Sequence, residues 1–128
     1  MRGFVGDMFF ENDYLYVVHR NINGGHSTMS TYDISDPSNP QRAGQYNHDD
    51  YGAGNIYVSG DYIYLTTSQK GLRVLNGFEP ENQFEIGYYD TPGEAYDVFV
   101  RDQIAYVTDY RDFGIYDCSE ALEVKPDV

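Results

Sequence analysis

The chain has 128 residues, 41% of them hydrophobic, and 8 Lys+Arg against 21 Asp+Glu give it a net charge of −13. That length predicts one domain, and the apolar content is too high for a disordered chain. No apolar run approaches the ~18 residues of a membrane helix, and so acidic a surface repels phosphate backbones and anionic lipid, so neither nucleic-acid binding nor membrane insertion is expected.

Met1-Arg2-Gly3 is not followed by an apolar stretch, so the sequence as written carries no secretory signal peptide. The first elements are read from residues 7–18 (DMFFENDYLYVV), two short apolar runs around a polar turn. The same pattern returns without gaps at 55–66 (NIYVSGDYIYLT) and 97–108 (DVFVRDQIAYVT), with starts 48 and then 42 residues apart. A second block follows each: MSTYDISDPSNP from Met29, LRVLNGFEPENQ from Leu72 and FGIYDCSEALEV from Phe113, so that Asp33, Asn76 and Asp117 align. A third block occurs twice, as AGQYNHDD from Ala43 and IGYYDTPG from Ile86. Independent blocks sharing a period near 43 identify a repeat architecture.

Each repeat offers four short strands with Gly, Asp, Asn and Pro turns between them. In the second strand both alternating sets are apolar: Tyr62 and Tyr64 against Ile63 and Leu65, Tyr14 and Tyr16 against Leu15 and Val17, Ile104 and Tyr106 against Ala105 and Val107. Such a strand must be covered on both faces. Four-stranded antiparallel sheets stacked around an axis provide that cover, so the expected fold is all-β, a β-propeller. The blades fall at about 1–50, 51–93 and 94–128, and the repeat count gives two and three-quarter blades, an incomplete ring whose third blade lacks its outer strand. A β-sandwich is the alternative, but it leaves the repeated DP/EP turn at constant spacing unaccounted for.

GLRVLN (71–76) and YDISDPSNP (32–40), with GQYNHDD or GYYDTPG after them, resemble the LVIVD-repeat β-propellers. Arg73 and Asn76 in blade two, and Gly114 and Ala121 in blade three, depart from the motif. The resemblance covers nearly the whole chain. It implies a propeller and a place in a large secreted or cell-surface protein, and it implies no activity.

Fewer than four blades do not close a ring. Two readings follow. The chain is a piece of a longer propeller, the preferred one, or it associates with itself, two copies making six blades. Its expected partner is therefore protein, either the remaining blades or a second copy. The uncovered faces should include Tyr14 or Leu15 on one side and Ile104 or Ala105 on the other.

Several residues invite a functional reading. His19, His26 and His48 fall on one loop face, with Arg20, Asp49, Asp50, Glu94, Asp109, Arg111 and Asp112. A histidine pair with carboxylates is a candidate transition-metal site, although His19-x6-His26 is not a ligand spacing of known sites and solvated loop residues are the simpler account. Asp7, Asn55 and Asp97 precede the innermost strands at equivalent positions. A ring of oxygens there suits Ca²⁺, while recurrence in every blade favours hydrogen bonding to the turn entering the strand. Asp33-x2-Asp36-x2-Asn39 lacks EF-hand order, and Pro37 and Pro40 mark it as a turn. Asp61 beside Gly60 is a hairpin signal. The repeated tyrosines Tyr14, Tyr16, Tyr62, Tyr64 and Tyr106 read as inter-blade packing, and Cys118 as a small packing residue.

No nucleophile elbow, P-loop, zinc-protease or dinucleotide motif is present. The expected function is a non-catalytic module for protein interaction or scaffolding, without a resident cofactor. A hydrolase or metal-dependent enzyme centred on the histidine-bearing face is the alternative.

Overall fold

The structure, a computed structural model, describes residues 3–21, 27–48, 53–67, 71–91, 95–109 and 112–120. Blade one is the antiparallel meander β1 (Gly3–Glu11), β2 (Tyr14–Asn21), β3 (Ser27–Asp33) and β4 (Gln41–His48). Blade two repeats it with β5 (Ala53–Ser59), β6 (Tyr62–Thr67), β7 (Gly71–Asn76) and β8 (Phe84–Tyr89). Blade three has β9 (Asp97–Arg101), β10 (Ile104–Thr108) and β11 (Phe113–Asp117), and among the described residues β11 pairs with β10 alone. Residues 121–128, where the sequence places the end of this blade, lie outside the described residues.

The hairpin turns sit where the sequence puts them. Asn12, Gly60, Asp102 and Gln103 adopt positive φ (56°, 61°, 52° and 66°), the left-handed conformation that two-residue hairpin loops demand. Blades one and two also share a bulge. The register passes from Thr31↔Gly44 to Tyr32↔Arg42, and from Val74↔Gly87 to Leu75↔Glu85, so Ala43 and Ile86 are skipped at equivalent places. A bulge adds local twist to a strand. Neither β1 nor β5 begins at the aligned residue: each starts earlier, and each carries an irregularity just before or at Asp7 and Asn55.

The blades stack face to face. One apolar cluster joins blades one and two, with Tyr16, Val18 and Met29 from the first and Ile56, Val58, Ile63, Leu65 and Leu75 from the second. Another joins blades two and three, with Tyr64, Leu72 and Val74 against Ala95, Val98, Val100, Ala105, Val107 and Cys118. Blade two is therefore covered on both faces, as its two apolar sets require. We call the face toward the higher-numbered neighbour the front and the opposite one the back. Tyr14 turns to the front of blade one, so Leu15 lies on the uncovered back. Ala105 is buried at the back of blade three, so Ile104 lies on the uncovered front.

Gly44 packs against the Pro80 carbonyl of the next blade, where a Cβ would overlap it. The Gly-aromatic strand of one repeat and the Pro turn of the following repeat are thus two halves of one contact.

Candidate functional site

Asp7 ends up as a clip between blades. Its Oδ2 accepts the Ile56 amide at 3.0 Å and Asn55 Nδ2 at 3.3 Å, while its Oδ1 accepts the Met8 amide at 2.9 Å. Asp7 and Asn55 are thereby brought together, and Asp97 is not among them: its Oδ1 accepts the Val98 amide at 2.9 Å on an exposed residue of blade three. Next to this clip Thr66, fully buried, accepts the Asn55 amide at 2.8 Å and donates to the Tyr96 carbonyl at 2.9 Å, tying blade two to blade three. Thr108 holds the equivalent place in blade three and accepts the Asp97 amide at 3.1 Å. Further inter-blade bonds run from the Gly60 amide to Glu11 (3.2 Å), from Gln83 Nε2 to Thr31 (3.0 Å) and from the Tyr89 hydroxyl to the Asp117 carbonyl (3.0 Å). Phe9, Tyr57 and Phe99, the same position in three repeats, line up with centroids 4.8 and 5.2 Å apart.

The aligned Asp33, Asn76 and Asp117 each cap the turn after the third strand. Their side-chain oxygens accept the amides of Ser35 (2.9 Å), Phe78 (3.0 Å) and Ser119 (3.0 Å), the Asx turn these residue types favour. Bonds to Ser35, first from its amide and then its hydroxyl, hold the Asp33 carboxyl below its ordinary range. The Ser119 hydroxyl and then its amide do the same for Asp117. Asp36 accepts the Ser38 hydroxyl at 2.7 Å, within the same turn. Arg73, the departure from the motif, donates to Glu85 at 2.7 Å and lies 5.0 Å over the Tyr88 ring.

Of the histidine set, His19 sits in β2 opposite Val5 and Thr28 and is half-buried. His48 closes β4 opposite Ser27, its side chain lying outside the described residues, as do His26, Asp49, Asp50, Glu94 and Arg111. Asp109 and Asp112 close a turn on each other, the Asp112 amide donating to Asp109 Oδ1 at 2.9 Å. Among the described residues no group of three His, Cys, Asp or Glu is placed to hold a metal ion.

Tyr16 and Tyr64 are buried between blades, with Tyr14 and Tyr62 packed against the same clusters. Burial, then the nearby Cys118, pushes the Tyr64 phenol well above its ordinary range, and burial likewise raises the Cys118 thiol. Tyr106 differs: it is exposed on the front of blade three. That front is the feature the sequence patterning left unresolved. Phe99, Phe113 and Ile115 are 58%, 60% and 62% exposed there. An apolar depression of about 250 Å³ opens among Asp97, Val98, Phe99, Tyr106, Thr108 and Phe113. The back of blade one is uncovered too, with Met8 and Phe10 exposed.

Comparison with known proteins bears on the repeats. The model of the LVIVD repeat matches residues 28–48 and 52–91, which are β3 and β4 of blade one and the whole of blade two. No curated protein matches the chain. Among solved structures, the crystal structure of the computationally designed Ika4 protein is similar over 91% of this chain and 92% of that one, at 9% identity and a TM-score of 0.47.

Proposed function

We propose that this chain, which carries LVIVD repeats and folds as β-propeller blades, is a non-catalytic module for protein interaction or structural scaffolding within a secreted or cell-surface protein, working without a resident cofactor. The observation that supports this reading is the front of blade three, where Phe99, Tyr106, Phe113 and Ile115 lie in the open. Contiguous apolar surface of that kind marks protein contact sites on soluble domains. Asp7 and Thr66, polar side chains of the first and second strands, are occupied in tying blades together, a structural use of groups that an enzyme would hold toward substrate. The acidic surface suits an extracellular setting, in line with the resemblance.

Metal analysis of the purified protein, beside His19→Ala, His26→Ala and His48→Ala variants, tests the non-catalytic reading. It expects no stoichiometric transition metal. One ion per chain, lost in the variants, makes the metal-dependent enzyme on the histidine-bearing face the better reading.

A further inference from the structure

The two internal interfaces follow one rule. Fronts present Phe9, Tyr14, Tyr16, Val18 and Met29 in blade one and Tyr57, Tyr62, Tyr64, Thr66 and Leu72 in blade two. Backs present Ile56, Val58, Ile63 and Leu65 in blade two and Val98, Val100, Ala105 and Val107 in blade three. In each pairing an aromatic-rich front meets a back whose first two strands are aliphatic, with Tyr116 of the third strand added at the back of blade three. The uncovered surfaces are one front and one back. The front of blade three carries Phe99, Ile104, Tyr106, Thr108 and Phe113 at the same register positions as the buried fronts. The back of blade one carries Met8, Phe10 and Leu15 at the positions of the buried backs, around Val17, which blade one itself buries.

Resting on the scaffold reading and naming its partner, we propose that the front of blade three binds the back of blade one of a second copy of this chain, so that two copies joined by two such contacts form a six-bladed ring. The polar groups support this occupant as the apolar ones do. Thr66 Oγ1 bonds the carbonyl of Tyr96, the residue before Asp97. Thr108 stands at the Thr66 position, and Gly6, the residue before Asp7, stands at the Tyr96 position. In a copy seated by the same rule, Thr108 Oγ1 meets the Gly6 carbonyl. Glu11 of blade one reaches the hairpin amide of Gly60 in blade two. Its counterpart in blade three is Arg101, largely exposed, and the hairpin it would meet on the second copy is Asn12-Asp13, whose Asp13 carboxylate complements a guanidinium. Size also agrees: the larger Met8 and Phe10 stand where blade three has Val98 and Val100, and the blade-three front is hollowed by about 250 Å³.

A front and a back are unlike surfaces, so the contact is heterologous, and this fixes the experiment. Sedimentation of the whole chain at micromolar concentration is expected to show a dimer. Phe113→Glu on the front and Phe10→Glu on the back each place a charge in the contact, at a side chain exposed in the single copy. Each should weaken association by about 30-fold or more, the scale of an interface hot spot, with the circular dichroism of the fold kept. Mixing the two monomeric variants should restore a heterodimer through the one intact front and the one intact back, and neither variant alone should do so. Because each copy carries a charge of −13, added salt should tighten the dimer by screening.

A wild-type monomer at these concentrations overturns the inference. So does a dimer that survives both variants, or a mixture that fails to pair. If the protein is monomeric and metal-free, the second copy is the wrong partner while the scaffold reading stands, and the face belongs to a different protein. A stoichiometric metal lost with the histidines instead removes the scaffold reading itself.

Discussion

Replacing Thr66 by valine removes one oxygen and leaves shape nearly unchanged, which isolates what that hydroxyl does. Thr66 is fully buried, accepts the Asn55 amide at 2.8 Å and donates to the Tyr96 carbonyl at 2.9 Å. Valine is sterically at home in this register, since Val18 occupies the equivalent site in blade one and is itself fully buried. No cavity and no overpacking therefore enter the difference. What remains is the loss of the Thr66 hydroxyl to the Asn55 amide and to the Tyr96 carbonyl, on a scale of about 1–3 kcal/mol for a group left fully unsatisfied. Relief by solvent at half-buried Asn55 and at exposed Tyr96 brings the expected loss to about 1–3 kcal/mol. With unfolding entropies near 2.1 cal/mol/K per residue, a chain of this length loses about 4 °C per kcal/mol, so the melting temperature should fall by roughly 4–12 °C. Thr108→Val, compared with its parent in the Phe10→Glu background where no second copy covers blade three, is the internal control. It removes only the bond from the Asp97 amide at 3.1 Å, on an exposed residue, and should lower stability by less than about 1 kcal/mol. Urea unfolding followed by far-ultraviolet circular dichroism, with all proteins at one concentration, measures both. If Thr66→Val lies within about 0.5 kcal/mol of wild type, or if Thr108→Val falls as far, the hydroxyl does not tie the blades together and the argument from bond geometry fails.

Two further outcomes are expected. Gly44→Ala should destabilise by about 1–3 kcal/mol, the scale of overpacking, because the new Cβ would overlap the Pro80 carbonyl and crowd the Glu81 amide; unchanged urea midpoints would mean that the two blades are free to part at this edge. Stability should also decline in alkali. The folded chain keeps protons on Cys118 and Tyr64 that the unfolded chain releases near their ordinary values of 9.0 and 10.0. This stability is full below those values and is lost as pH rises through them toward the raised folded values. Urea midpoints that fall above pH 9.0, and fall less in Tyr64→Phe, are the expected result, and a flat profile in wild type contradicts it.

The repeats made the strand order legible. Three gapless blocks mark the first and second strands of each blade, and β1–β2, β5–β6 and β9–β10 lie where those blocks are. The turn after Asp33 was legible from its Asp, Asn and Pro residues, and Asn76 and Asp117, which align with Asp33, form the same cap. The direction of each face was not. Period-two patterning separates Tyr14 from Leu15 and Ile104 from Ala105, but when both sets are apolar it cannot tell which meets a neighbour. Sequence likewise gave no sign of what Gly44 touches, since Pro80 belongs to the next repeat and the contact exists only once the sheets stack. Asp7 and Asn55 were aligned as equivalents, which hides their difference: the carboxylate accepts and the amide donates, so they bond each other across the blades instead of standing side by side around an axis. The histidine face was assembled from loop positions, and most of its members fall outside the described residues.

Among the described residues blade two alone has a neighbour on each side, and every blade is a meander whose ladders close within about forty residues. Energetically this is a one-dimensional lattice, in which a unit is held by its own cohesion and by the one or two units beside it. Synthesis from the N-terminus feeds that lattice in order. Blade one can complete its hairpins first, yet its tyrosines stay wet until blade two arrives to cover them. Blade two then waits on blade three in turn, so each repeat serves as the folding template for the one that follows it from the ribosome.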